Sequence, residues 1–398
     1  MRFGIEQLSH IPVRDRQMEF VECKGLAHPD TLCDSLVEAA SQGLSSMYVR
    51  ELGFVAHFNL DKALLAAGEC EKTFGSGRML RPMRLFLGDR ATFFAGERAL
   101  PVIHTARSAI QQWLERHLPA VRLDRDLVLE SALAQGSAPL RGIYFQPITE
   151  TISNDTSGAA GFAPFSPTEQ AVLHAQRFLN GKEFKSRFPD TGQDVKIFAV
   201  RNGRNLSLTV AMPFLCNAIE SEAAYFRRKE EVLHALWQEV RHPELEIDWV
   251  LNSLDRKGSG AEGVYLSLTG TSAEDADSGQ VGRGNRAYGF IAFARPVGGE
   301  AAPGKNPIAH VGKIYSVLSQ RLAEILHARF PEVLEVYVNL ATRIGEPVRN
   351  PWVGVQLVVP AGLSVADISA QVESCVAEEI ARLPEFCERL IRGELAVV

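Results

Sequence analysis

The chain has 398 residues, of which 46% are apolar and 23% charged. This length predicts two or three domains, each large enough for a hydrophobic core, and the composition excludes disordered, collagen-like and low-complexity proteins. The 42 Lys and Arg residues against 48 Asp and Glu residues give a formal net charge of −6. Such a chain has no global basic field for nucleic acid or an anionic membrane, so an anionic ligand needs a local basic site.

Two features predict the cellular compartment. The six cysteines are scattered without a C-x-x-C pair or a zinc-like spacing, which is typical of reduced thiols in a cytoplasmic protein. The first residues lack the layout of a signal peptide, and no apolar run approaches the ~18 residues of a membrane helix. We therefore expect a cytoplasmic protein.

The predicted elements alternate along the chain, since period-two segments predict strands and apolar residues at helical spacing predict helices. In chain order they are strand 19–22, helix 30–52, strands 54–60 and 83–87, helices 105–117 and 167–179, strands 195–200 and 206–212, helix 220–240, strand 264–268, helix 310–330, strands 335–340 and 353–359, and helix 365–382. This interleaving predicts α/β or two-layer α+β architecture. Polar, turn-rich stretches at 118–126, 181–192 and 255–262 are candidate boundaries.

The first candidate site precedes the first predicted helix, in Gly25-Leu26-Ala27-His28-Pro29-Asp30. Pro29 suits the first helical position, which places His28 at the cap and Asp30 in the first turn. A histidine beside the positive helix end favours its neutral form and anionic ligands. Asp30 and Asp34 share a helix face and could present two oxygens to Mg²⁺. The alternative is a capped helix whose acidic first turn complements the dipole.

The second candidate site is the segment 269–286, TGTSAEDADSGQVGRGNR, which follows a predicted strand. It contains three carboxylates within four positions, including Asp277, and then sets Arg283 and Arg286 among glycines. Glycine lets the backbone approach a ligand and arginine matches phosphate oxygens, so this order suits a Mg²⁺-polyphosphate site. An ordinary solvated loop is the alternative, and as a dinucleotide fingerprint the segment is weak.

The third candidate site is the segment 299–307, GEAAPGKNP, which satisfies G-x-x-x-x-G-K. Asn306 stands where a P-loop needs a hydroxyl for magnesium, which disfavours a Walker loop. Lys305, His310 and Lys313 can still bring positive charge to phosphate from a helix N-terminus. In the fourth segment, 153–158, the residues around Asp155 favour an Asx turn with capping. Together, the local sites predict a nucleotide-using enzyme without naming its reaction.

Taken in order, these motifs resemble the archaeal-type S-adenosylmethionine synthetases. The resemblance spans nearly the whole chain, and its most specific part joins GTSAE, D-x-G-x-V-G-R-G-N-R and GKNP. The matching blocks are GLAHPDTLCD at 25–34, AHFNLDK at 56–62, LGDRAT at 87–92, SNDTSGAAGFAP at 153–164, QDVKIFAV at 193–200, GTSAEDADSGQVGRGNR at 270–286 and GKNPIAHVGKIY at 304–315.

This resemblance implies a methionine adenosyltransferase. In the family, methionine sulfur attacks C5′ of ATP and displaces the triphosphate, which is then cleaved to phosphate and diphosphate. Stabilising so charged a leaving group requires cations and Mg²⁺, and K⁺ is a further possible cofactor. The alternatives are a paralogue with altered amino-acid or nucleotide specificity, a triphosphatase, and a weakly catalytic subunit that binds nucleotide.

The resemblance also assigns roles to residues of the first and middle blocks. His28 matches the histidine that steadies the ribose-triphosphate junction as the C5′–O bond breaks, and Asp30 matches the Mg²⁺ ligand. Lys196 matches the lysine that contacts the leaving oxygen, with Asp194 near the nucleotide. Asp155 matches the acid that holds the methionine amino group.

The remaining assignments fall in the last two blocks. Asp277 and Arg283 match the element near adenosine, methionine and triphosphate, and Lys305 matches a lysine on the phosphates. His310 and Lys313 are looser assignments to the nucleotide. The predicted catalytic set is thus His28, Lys196, Arg283 and Lys305.

The family fold has three similar intertwined α/β domains whose sheets pack against a second subunit. This implies a homodimer with active sites between subunits, with a tetramer as a further possibility. The predicted domains are 1–125 with the HPD motif, 126–255 with NDTS and QDVK, and 256–398 with GTSAE, GRGNR and GKNP. Phe58, Gly158, Tyr288 and Phe293 depart from the family pattern, which favours retuned substrate specificity over loss of activity.

Overall fold

The computed structural model describes residues 1–136 and 150–398. The α-helices of these residues are α1 (Pro29–Leu52), α2 (Val102–His117), α3 (Pro167–Asn180), α4 (Lys182–Arg187), α5 (Glu222–Glu239), α6 (Val311–Arg329), α7 (Val365–Ala381) and α8 (Leu383–Ile391). No helix among the described residues is both long enough and apolar enough to cross a bilayer.

The strands of the same residues are mostly short. They are β1 (Arg2–Gln7), β2 (Met18–Lys24), β3 (Phe58–Asn59), β4 (Ala63–Ala66), β5 (Glu69–Thr73), β6 (Ser76–Arg81), β7 (Met83–Leu87), β8 (Arg90–Ala91), β9 (Phe94–Ala95), β10 (Arg98–Ala99), β11 (Leu127–Ser131), β12 (Ala134–Gln135), β13 (Ser157–Ala163), β14 (Lys196–Asn202), β15 (Asn205–Ala211), β16 (Phe214–Leu215), β17 (Glu246–Leu251), β18 (Leu266–Ser267), β19 (Gly279–Gln280), β20 (Ile291–Ala292), β21 (Glu335–Thr342) and β22 (Trp352–Val358).

Three larger sheets share one pairing pattern. Their orders are β1-β22-β21-β13, β11-β7-β4-β19 and β17-β15-β14-β2-β20. In each sheet the first pair is parallel and the following pairs are antiparallel. This recurrence is what three similar units would produce, although the domain boundaries stay a prediction.

Helices cover one face of each of these sheets. Helix α1 packs on β4, β19 and α2, helix α3 packs on β2 and β14, and helix α6 packs on β13 and β21. Along β15 and β2, buried and more exposed residues alternate, so only one face of that sheet is covered. The fold is therefore a mixed α/β architecture of sheet and helix layers.

Strands from distant parts of the chain pair with each other. β2 pairs with β14, β4 with β19, β13 with β21, and β1 with β22. Because the motif-bearing segments lie at the ends of these strands, the pairing brings the sequence motifs together from positions hundreds of residues apart.

All six predicted helices are confirmed, and two of the predicted strands are largely wrong. Only Phe58–Asn59 of 54–60 and Leu266–Ser267 of 264–268 are strand. Residues 55–58 are all buried, so their apolar character reflects burial of an irregular segment rather than a sheet face. The sequence reading also missed β13, whose small residues let α6 approach: a Cβ at Gly161 would lie 2.2 Å from the Gln320 nitrogen.

Candidate functional site

The start of α1 forms the first part of the site. His28 is the N-cap residue, and its Nδ1 accepts from the Asp30 N–H at 3.3 Å, as the sequence predicted. The preceding turn is held by the segment that leads into β14, because Gly25 donates to the Val195 carbonyl and Ala27 to the Gln193 carbonyl. The HPD and QDVK motifs are therefore adjacent.

Charged side chains surround this helix start. Lys24 Nζ donates to Asp30 Oδ2 at 3.0 Å and to the Arg283 carbonyl at 2.6 Å. Lys196 Nζ lies 3.2 Å from Glu22 Oε1, which is also 3.9 Å from Lys24 Nζ. The cations of the β2 and β14 ends thus converge on the N-terminus of α1 and on the arginine loop.

His28 is neutral near pH 7 in this environment. The pKa of the His28 imidazole is lowered to about 4, chiefly by burial; the nearby Lys24 and Lys196 also lower it, whereas Asp30 raises it. A neutral imidazole can donate from one nitrogen and accept at the other. It therefore adds a hydrogen bond to the site without adding charge.

Acidic residues of α1 hold the arginine loop through its backbone. Asp30 Oδ1 accepts from the Gln280 N–H at 3.0 Å, and Asp34 accepts from the Gly282 N–H at 2.7 Å and the Gly284 N–H at 3.1 Å. Burial raises the pKa of Asp34 to about 7, against the opposing effect of these two N–H groups. Both Asp34 oxygens thus hold the backbone of the arginine loop, and a shared metal site with Asp30, which the spacing had allowed, stays a prediction.

The next acid of the same helix face holds the lysine loop. Glu38 Oε2 accepts from the Gly304 N–H at 3.0 Å. Lys313 Nζ donates to both Glu38 oxygens at 2.7 and 2.9 Å and to Ser41 Oγ at 3.1 Å. Lys313 is buried and its ammonium neutralises Glu38, so the structure places it behind the lysine loop, and its sequence-based assignment to the nucleotide stays a prediction.

Lys305 is a buried cation with two carboxylate partners. Its ammonium forms a short contact with Asp61 and lies 3.1 Å from Glu300 Oε2. Asp61 also contacts Lys62 Nζ at 2.7 Å and Asn59 Nδ2 at 2.7 Å. Burial alone would raise the pKa of Asp61, but Lys305 and Lys62 outweigh it and hold this pKa at about 2.

His310 and Asp155 adjoin the Lys305 group. His310 is the N-cap residue of α6, and its Nδ1 accepts from the Gly312 N–H at 3.3 Å. Burial, with a further contribution from Lys305, lowers the pKa of His310 to about 3. Burial raises the pKa of the Asp155 carboxyl, and the nearby Glu300 raises it further.

The predicted residues Asp194 and Asp277 flank the GTSAE segment instead. Asp194 is buried, and its Oδ2 accepts from the Ser272 N–H at 2.7 Å. Burial raises the pKa of Asp194 to about 7. Asp277 is exposed and its Oδ1 accepts from the adjacent Ser278 N–H, so it remains free to meet a ligand.

A cavity of about 620 Å³ joins the arginine and lysine loops. Of the predicted residues, Lys305 lines this cavity, and Arg283 follows the lining residue Gly282. The polar lining residues are Asp61, Lys62, Gln280, Glu300 and Lys305. The lining thus combines one buried cation, Lys305, with the exposed cation Lys62 and two carboxylates, and an anionic ligand could take the place of the carboxylates at the cations.

Comparison with known proteins decides the family. The family model described as S-adenosylmethionine synthetase matches residues 2–394. The chain belongs to the S-adenosylmethionine synthetase family. It is 36% identical to the S-adenosylmethionine synthase of Pyrobaculum islandicum over 99% of each chain, and 36% identical to that of Methanoregula boonei over 98% of each.

A solved structure supports the fold of the family. An unusual S-adenosylmethionine synthetase from Campylobacter jejuni aligns with a TM-score of 0.58 at 14% sequence identity, covering 96% of this chain and 95% of the other. The family resemblance and the predicted fold class are therefore confirmed.

Several departures from the family pattern lie outside the cavity. Phe58 is fully buried and its ring lies 6.0 Å from that of Tyr48, so it is a core residue rather than a pocket residue. Tyr288 packs edge-on against Phe162 with ring centroids 4.7 Å apart. Phe293 is 61% exposed. The hypothesis that these positions tune substrate specificity stays a prediction.

The sequence reading missed four groups that hold or neutralise the predicted cations: Lys24, Glu38, Asp61 and Glu300. Asp61 lies within the AHFNLDK block, and Glu38 continues the four-residue spacing of Asp30 and Asp34. These signals give the residues but not their partners. Lys24, Glu38 and Asp61 each contact a loop residue more than 240 positions away, whereas Glu300 lies close in sequence to its partner Lys305.

One carboxylate of the site fits a phosphate-bound magnesium ion. Each oxygen of Asp30 accepts one hydrogen bond and keeps a second lone pair. Protein-bound Mg²⁺ commonly uses one or two carboxylates together with substrate phosphates. Within the described residues, the one cluster of three ligand-type groups is Cys70, Glu274 and Asp275, where Lys72 lies 2.8 Å from Asp275 and a thiol does not suit Mg²⁺.

Proposed function

We propose that this protein is an ATP-dependent methionine adenosyltransferase that forms S-adenosylmethionine, phosphate and diphosphate. A lone pair of the methionine sulfur forms a bond to C5′ of ATP, and the C5′–O bond breaks with its electron pair going to the triphosphate. Water then cleaves the triphosphate. Full-length similarity to proteins named S-adenosylmethionine synthase supports this reaction.

The observation that carries the proposal is the buried cation on the lysine loop. Lys305 is 1% exposed and is neutralised by Asp61 and Glu300. A cation held in a low-dielectric cavity interacts strongly with charge that develops on a leaving group. We infer that triphosphate competes with these carboxylates for Lys305, while Arg283 and Lys196 meet it from the other side.

His28 contributes a neutral hydrogen bond at the reacting junction. Its Nδ1 is occupied by the Asp30 N–H, so its Nε2 carries the proton and can donate to the oxygen that leaves C5′. Asp155 is partly buried beside the Lys305 group and can pair with the methionine ammonium. Asp194 and Asp277 would bind the nucleotide and methionine from the GTSAE side, and His310 would approach the phosphates from the start of α6.

Magnesium is the proposed cofactor, and Asp30 would hold it. When bound, the ion would neutralise phosphate charge and so favour triphosphate as a leaving group. Asp30 is oriented for this by Lys24 and the Gln280 N–H. A requirement for K⁺ stays a prediction.

We propose a homodimer with active sites between subunits. The sheet that contains β2 and β14 has an open face carrying an aromatic cluster: Phe20 is 38% exposed, Phe293 is 61% exposed, and their rings lie 6.4 Å apart. An exposed apolar patch on an open sheet face is typical of a subunit interface. Sedimentation should give twice the mass of one chain, or four times that mass if dimers pair. Phe293→Asp should shift the measured mass toward that of a single chain.

Phosphorus NMR tests the reaction itself. The protein is incubated with ATP, methionine and MgCl₂, and the proposal predicts equal amounts of phosphate and diphosphate that appear only when methionine is present. Release of phosphate with ADP, or without methionine, would instead indicate a phosphatase. Replacing methionine with chain-length analogues, compared as kcat/KM, would reveal altered specificity.

A further inference from the structure

We infer that Asp34 and Glu38 are positioning residues that fix the two cation-bearing loops from one face of α1. The inference rests on the proposed function only in identifying triphosphate as the group those loops bind. Neither residue touches triphosphate. Asp34 holds the backbone beside Arg283, and Glu38 holds the backbone beside Lys305.

The helix geometry places the acids in register. Asp30, Asp34 and Glu38 are four residues apart, so their side chains lie in a row along α1. All three are at most 6% exposed, and all three accept backbone N–H groups from loops more than 240 residues away. Charged groups are buried at this depth only when they are paired.

Asp34 clamps the arginine loop on both sides of Arg283. Its two oxygens accept from the Gly282 and Gly284 N–H groups, and a Cβ at Gly284 would lie only 2.3 Å from Asp34 Oδ2. The backbone on each side of Arg283 is therefore fixed, while the Arg283 side chain stays exposed.

Glu38 and Ser41 hold the backbone at Lys305 in the same way. Glu38 accepts from the Gly304 N–H, and Ser41 Oγ donates to the Lys305 carbonyl at 3.1 Å. Lys313 neutralises Glu38 through two hydrogen bonds. The loop conformation depends on glycine, since Gly304 has φ +77°, so these contacts select one conformation from a flexible segment.

The consequence is functional because charge stabilisation depends on distance. A displacement of about 1 Å in a group that meets the transition state costs about 10²-fold in rate, and loss of a supporting contact typically costs about 10 to 100-fold. An amide in place of Asp34 has one acceptor oxygen, and its NH₂ group would face a loop N–H. The arginine loop would then lose one of its two anchors.

The test measures binding of Mg²⁺-tripolyphosphate by calorimetry in wild type, Asp34→Asn, Arg283→Ala and the double variant. We expect Asp34→Asn to weaken binding about 10 to 100-fold in wild type and less than about threefold in the Arg283→Ala background. Asp126→Asn is the matched control: Asp126 is 3% exposed, and its carboxylate accepts from the Arg122 N–H and from Arg125 rather than from either loop. It should leave binding unchanged.

Glu38→Gln and Lys305→Met form a second cycle, which keeps the test decisive if Asp34→Asn does not fold. In either cycle, the inference would be overturned if the carboxylate substitution weakened tripolyphosphate binding equally with the cation present and with it removed. A merely structural role predicts such additive losses of binding free energy. If wild type formed no S-adenosylmethionine, the proposed function would be refuted but the positioning role would not, because tripolyphosphate binding measures that role without turnover.

Discussion

Replacing Lys305 with methionine separates the structural role of this lysine from its catalytic role. In wild type its ammonium contacts Asp61 and lies 3.1 Å from Glu300. At an effective dielectric constant near 20, two unit charges about 3 Å apart attract by roughly 5 kcal/mol, although desolvation offsets much of this. Removing one buried partner typically costs about 3 to 5 kcal/mol.

The expected loss of stability lies below that range. Asp61 keeps Lys62 Nζ and Asn59 Nδ2, both at 2.7 Å, so we expect Lys305→Met to lower the free energy of unfolding by about 2 kcal/mol. The turnover number should fall by about 10² to 10³-fold, because a cation that meets developing charge is lost.

Adding Asp61→Asn to Lys305→Met distinguishes the two effects. In the double variant only Glu300 lacks its partner, and its side chain is 30% exposed, so urea unfolding should return to within about 1 kcal/mol of wild type. Methionine-dependent diphosphate release should remain as low as in Lys305→Met. If the double variant regained both stability and turnover, Lys305 would be a structural residue and the proposed phosphate contact would be refuted.

Three further predictions follow from the site. Gly284→Ala should lower kcat at least about 10²-fold by displacing the loop from Asp34, whereas Gly4→Ala, whose added Cβ meets no atom within 4 Å, should not; initial rates compare the two variants. Because the lowered pKa keeps His28 neutral in the folded protein, the free energy of unfolding should be unaffected by this group at neutral pH and should fall as pH drops toward 4. The NMR signals of His28 should not titrate between pH 8 and about 5.5. Chelating Mg²⁺ should abolish turnover, and restoring it should recover the rate; unchanged turnover would remove Asp30 as its ligand.

Helices were predictable because their signal is local. Each predicted helix carries its apolar residues at helical spacing, and its packing against a sheet follows from that pattern. The strand β13 gives no such signal, since its Ala and Gly residues are there to let α6 approach closely, and the need for Gly161 is visible only beside Gln320. Sheet pairing over long separations was likewise outside what one sequence contains.

The sequence predicted the cations of the candidate site but not the contacts that those side chains make. Sequence motifs gave Lys305 and Arg283, because lysine and arginine beside glycine suggest phosphate wherever they occur. The same motifs could not indicate that Lys313 faces Glu38 inside the core, or that Asp34 accepts two backbone N–H groups of the arginine loop. Those outcomes depend on burial, which tertiary packing decides.

Mass spectrometry of the reaction mixture tests the central claim most directly. Protein, ATP, methionine and MgCl₂ are combined, and the small-molecule products are resolved with methionine labelled at its methyl group. The account predicts a labelled sulfonium product that contains adenosine, formed in equal amount with diphosphate. Folded protein that binds Mg²⁺-tripolyphosphate but forms no adenosyl sulfonium from methionine or its close analogues would contradict it.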